Sequence, residues 1–67
     1  MDKLNKKCEV HILTELGWEC LWKSAKCIEQ EGSFIKLAPY CKSLGKYDEE
    51  LACWYNLIDQ NYRFTWR

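Results

Sequence analysis

Ten aromatic side chains, four of them tryptophan, crowd a chain of 67 residues, and this limits how so short a chain can hold together. Each buried aromatic removes about 150–250 Å² from water, so a few of them supply the core that a small domain otherwise lacks. The length leaves room for a single domain, residues 1–67. Disorder is not expected, because disordered segments are poor in aromatics and unbalanced in charge. Here Lys plus Arg and Asp plus Glu both number 10.

Helical spacing is the clearest pattern. Trp18, Leu21, Trp22, Ala25 and Ile28 make one stripe at i, i+3, i+4, i+7 and i+10, which predicts a helix over 18–31 with Gly32 as its C-cap. Asp48 is suited to cap a second helix, and Glu49 and Glu50 suit its positive end. Leu51, Trp54, Tyr55, Ile58 and Tyr62 continue it as a stripe. Pro39 fits the first turn of a short helix reaching Leu44 and closed by Gly45. The expected fold is all-α, a small bundle of three to four short helices with an aromatic-rich core.

Two segments read either way. Asp2 is placed to cap a helix running to Leu16, with Leu4, Cys8 and Ile12 on its ridge and Gly17 as its stop. The run Cys8-Glu9-Val10-His11-Ile12 also alternates as a strand would, and so does the tail from Tyr62 to Arg67. Strands near 8–13 and 62–66 would pair, making the alternative fold α+β.

Catalytic chemistry finds little support. His11 is the only histidine, so a cysteine–histidine nucleophile has a single candidate base. No phosphate-cradling glycine loop is present, and carboxylates such as Asp48, Glu49 and Glu50 are explained as capping groups. No enzyme activity and no cofactor are expected. The five cysteines lack the two-to-four-residue spacing of structural zinc knuckles. Cys8 and His11 form a C-x-x-H that would share a helix face, which keeps a small metal-stabilised Cys/His domain as an alternative, but no metal ligand is assigned. Cys20 and Cys27, seven residues apart, would be about 10.5 Å apart along a helix, too far for a disulfide or a shared zinc.

Charge argues in the same direction. Residues 1–33 hold five basic and six acidic groups and residues 34–67 hold five and four, without the basic excess usual in nucleic-acid binders. A helix-turn-helix drawn through 39–62 would present Asp48, Glu49 and Glu50 to DNA, which repels them. A near-neutral surface leaves room for a homodimer. No secretion signal and no apolar run long enough for a membrane helix are seen, so the expected compartment is the cytoplasm, without a membrane partner.

The aromatic surplus is the positive signal. Tyr62, Phe64 and Trp66 alternate with Arg63, Thr65 and Arg67, and Trp, Tyr and Arg are the favoured anchors of protein interfaces. The expected function is a small non-enzymatic regulator, adaptor or inhibitor of the phage- or plasmid-accessory type. It would bind a protein partner through Tyr62, Arg63, Phe64, Trp66 and Arg67, with Trp18 and Trp22. The alternative use of the same tail is stacking on nucleic acid.

Overall fold

Alternation, and not helical spacing, governs the chain. In the computed structural model, which describes residues 3–67, Cys8 and Val10 of β1 (Lys7–Thr14) point into the core while Lys7, Glu9 and His11 lie outside it. Thr14 and Gly17 face each other across a two-residue hairpin loop that leads into β2 (Gly17–Glu31). The Thr14 hydroxyl accepts from Leu16 N at 3.2 Å and donates to Gly17 O at 2.9 Å. A second two-residue loop, Gly32-Ser33, leads into β3 (Phe34–Cys41). Gly32, first in the loop, has φ +61°, as hairpin turns with a leading glycine require. A loop over 42–45 then leads to β4 (Lys46–Tyr47), followed by a 3₁₀ turn (Glu49–Leu51), β5 (Cys53–Asn56) and β6 (Tyr62–Trp66).

The strands form one antiparallel sheet in the order β4-β3-β2-β1-β6, with β5 also on β3. Pro39 explains why β3 takes two partners on one edge. Its carbonyl accepts from Asp48 N at 2.8 Å on that edge, and its own ring nitrogen has no proton to offer there. The ladder is therefore split, with β5 on Phe34–Leu37 and β4 on Tyr40–Cys41.

Strand β2 is long because it bends. Trp22 and Ala25 face Val10 and Cys8, so three steps on β2 match two on β1; Leu21 and Ile28 are further extra residues in the register. Such bulges bend a strand and increase its twist. The first part of β2 thereby serves β1 and its end serves β3, and the sheet curls onto its own inner face. Cys8, Val10, Ala25, Cys27, Ile35 and Leu37 fill that interior. The two ends of the sheet meet through Tyr55 on β5, whose ring lies 5.3 Å from Tyr62 and 6.1 Å from Phe64 on β6.

The all-α bundle is thus overturned, and the small helical domain with it. Among the described residues no helix reaches seven residues. The expected helix over 18–31 is β2, and its stripe arises from the bulges. Trp22 and Ala25 point inward three residues apart across a bulge, which imitates a helical interval; Leu21 and Ile28 are extra residues at bulges, and Trp18 lies against Arg63 on the outer face. The expected helix from Asp48 ends after one turn. Asp48 does cap it, accepting from Glu50 N at 3.0 Å, but Trp54 and Tyr55 continue as a strand. Residues 39–44 are the end of β3 and its loop. The three glycines expected as helix stops all have positive φ but turn the chain between strands. The strands near 8–13 and 62–66 do exist and pair, Cys8 with Trp66 and Val10 with Phe64, yet the α part of that alternative does not. Asp2, expected as a cap, lies outside the described residues.

Candidate functional site

Strand geometry sorts the expected contact residues onto opposite faces. Tyr62, Phe64 and Trp66 turn inward, stand opposite Ile12, Val10 and Cys8, and pack on the core. Lys3 covers the Trp66 ring at 5.1 Å. Arg63 and Arg67 are on the outside. The tail therefore does not offer aromatics and cations on one surface.

Trp22 also faces inward. Its indole N–H donates to the Tyr55 hydroxyl at 3.0 Å. Burial pushes the Tyr55 hydroxyl pKa up, and the bond from Trp22 works against that shift by favouring the ionised form.

Trp18 and Arg63 do come together. Trp18 sits on β2 opposite Leu13, and Arg63 sits on β6 opposite His11, with β1 between them. Neighbouring strands lie about 4.8 Å apart, so the two side chains together bridge β1, and the Arg63 guanidinium lies 4.1 Å from the centre of the Trp18 ring. Around this stack lie exposed Leu13 and the polar row His11, Glu9 and Arg67. Glu9 is 3.5 Å from His11 Nε2 and 3.4 Å from Arg67.

A second surface was not anticipated. Tyr40 and Tyr47 are cross-strand partners on the outside of β3 and β4, with rings edge to face at 5.2 Å. The Tyr47 hydroxyl is 2.9 Å from Ser24 Oγ, and Lys7 Nζ lies 5.7 Å over the Tyr47 ring. Tyr40 borders two recesses. One, of about 410 Å³, has Lys26, Lys46 and Tyr47 on its walls; the other, of about 320 Å³, has Trp22, Lys23 and Lys42. The signal was present in the sequence as the near-mirror Tyr40-Cys41-Lys42 and Lys46-Tyr47 on either side of Ser43-Leu44-Gly45, a hairpin read as a helix end.

The thiols are dispersed. Cys8 is fully buried and points to the core, whereas His11, three residues on, is on the outer face. On a strand a C-x-x-H is split between faces, so the pair expected on one helix face does not form. Burial, followed by the neighbouring Cys27, pushes the Cys8 thiol up to about 12. Cys41 is shifted down by hydrogen bonds, first from Ser43. Among the described residues no three His, Cys, Asp or Glu side chains are grouped to hold a metal ion, and no helix is long and apolar enough to cross a membrane.

The fold and its outer surface define the class: a small curled antiparallel β domain with two separate outward pairings of aromatic rings and cations. Comparison of the chain with protein-family models, curated proteins and solved structures gives no match.

Proposed function

We propose that this domain is a small non-enzymatic binding module, a regulator, adaptor or inhibitor, that docks on a protein partner through the outer face of β1, β2 and β6. The observation that carries this reading is the Arg63 guanidinium stacked 4.1 Å from the Trp18 ring. A stacked arginine is held in place before a partner arrives, so less side-chain freedom is lost on binding. Trp and Arg are also the residue types that most often dominate interface energies. Leu13 adds apolar area beside them, and Arg67 with Glu9 forms a polar rim. Tyr62, Phe64, Trp66 and Trp22 support the surface from beneath and do not touch the partner.

Affinity capture from the native host with the tagged chain tests this. Trp18→Ala combined with Arg63→Ala should lose the partner captured by the unaltered chain while keeping its far-UV spectrum. Capture of the same partner by the double variant would end the proposal.

A further inference from the structure

We propose that the face carrying Tyr40 and Tyr47 is a second binding site, for single-stranded nucleic acid. Its bases would stack in the two recesses beside Tyr40, and its phosphates would follow the flanking lysines. The charge is local. The chain as a whole is neutral, yet Lys7, Lys23, Lys26, Lys42 and Lys46, five of its eight lysines, border these two rings or their recesses. Lys7 and Lys26 are direct cross-strand partners, a like-charge pairing that disfavours the sheet unless an anion offsets it.

The aromatic part is preorganised. Tyr47 is tied through its hydroxyl to Ser24, and Tyr40 abuts it edge to face while remaining 46% exposed. Tyrosine rings with lysines around two adjoining recesses suit unpaired bases, whose faces are free to stack. In a duplex those faces are already covered, and an acidic peptide has no flat ring for the recesses. Glu49 closes one side of the larger recess, and Asp48, Glu49 and Glu50 line a neighbouring depression that shares Lys46 and Tyr47 with it, so this flank repels phosphate. The phosphates would therefore run on the opposite side, past Lys26, Lys23 and Lys42.

The test is fluorescence anisotropy with a labelled oligothymidylate of about twelve nucleotides, long enough to cross one small β domain. Binding should weaken with salt, with log K falling by about 0.7 per phosphate contacted for each unit of log salt concentration, so a slope of about −2 to −3 is expected. Tyr40→Ala should weaken binding about ten-fold at fixed salt and leave the slope unchanged. Lys26→Gln with Lys42→Gln should make the slope shallower by about 1.4. Trp18→Ala with Arg63→Ala should bind the oligonucleotide normally, which separates this site from the protein-docking face. Absence of binding by the folded protein at low salt would overturn the proposal. So would equal binding of a duplex, or displacement by polyglutamate with no effect of Tyr40→Ala.

Discussion

The Trp22 indole N–H and the Tyr55 hydroxyl, 33 residues apart in sequence, meet at 3.0 Å and join β2 to β5, two strands that share no ladder. With Tyr55 also against Tyr62 and Phe64, this hydroxyl sits where the two ends of the curled sheet come together. Tyr55→Phe keeps the ring and removes the acceptor. The half-buried indole is then left without its partner, which costs about 0.5–1.5 kcal/mol. In a domain of this size that lowers Tm by roughly 4–8 °C per kcal/mol, read by thermal melts of both proteins.

Alkaline pH should destabilise the domain through two groups. The Cys8 thiol, ordinarily near 9.0, is raised to about 12, and Tyr55 is raised from 10.0. In each case the folded state holds its proton more tightly than the unfolded state. The stability this gives is full below the unfolded value and is lost as pH rises toward the folded one. Unfolding free energy should fall between pH 9 and 12 through Cys8, and above pH 10 through Tyr55 as well, by up to about 1.4 kcal/mol per pH unit for each group. Urea titrations at stepped pH check it. Cys8→Ala, whatever it does to stability at neutral pH, should flatten the slope between 9 and 10.

Gly17 closes the first β-hairpin connection and Gly32 opens the second, and they are not equivalent. Gly32 at φ +61° holds the first central position of its turn, where asparagine is tolerated, whereas Gly17 at φ +110° lies outside a turn position of that kind. Neither would bring an added Cβ within 4 Å of another atom, so backbone strain alone decides the outcome. Gly32→Asn should cost under about 1 kcal/mol and Gly17→Ala about 1–3 kcal/mol. Equal losses in denaturant titrations would contradict this.

That the segments near 8–13 and 62–66 could be paired strands was legible as the alternative reading, because both alternate over five residues, and β1 and β6 carry no bulge against each other; the register of Val10 with Phe64 was not. The nature of β2 was not. Its extra residues at Leu21 and Ile28 are accommodated by tertiary pairing, and they break the two-residue period from which a strand is recognised. The Gly32-Ser33 pair was a readable hairpin signal, since glycine followed by serine between two runs favours a two-residue loop; the helical stripe before it drew it into a capping role. For the candidate site, the sequence pointed to Trp18 and Arg63 separately. Their contact needed the register that places β1 between them. The aromatic surplus of the tail was a core signal, because period two sends Tyr62, Phe64 and Trp66 to one side together.

The five thiols should separate by position. Cys8 and Cys27 are fully buried, while Cys20 and Cys53 are exposed and Cys41 is partly so. Iodoacetamide at neutral pH should label Cys20, Cys41 and Cys53 in the native protein and reach Cys8 and Cys27 only after unfolding. Cys41 should react first, because the hydrogen bond from Ser43 favours its thiolate. Ser43→Ala should slow it. Peptide mass mapping at short reaction times gives the order, and early labelling of Cys8 would contradict the buried position of β1.

Alternation along β6 predicts opposite consequences for neighbouring residues. Phe64 and Trp66 pack on the core and lie against Val10 and Cys8, with ring centres 6.5 Å apart. Removing either ring takes away part of the wall that closes the curled sheet, and Phe64→Ala or Trp66→Ala should each cost about 2 kcal/mol or more. Arg63 and Arg67 are exposed; Arg63 lies on a tryptophan face, and Arg67 pairs with the surface carboxylate of Glu9 and donates to Lys23 O at 3.2 Å. Contacts of that kind contribute under about 1 kcal/mol. Arg63→Ala and Arg67→Ala should therefore leave Tm nearly unchanged, while Arg63→Ala weakens partner capture. A melt series in which the arginine variants lose as much stability as Trp66→Ala would mean that the outer face is structural, and the docking surface would have to be sought elsewhere.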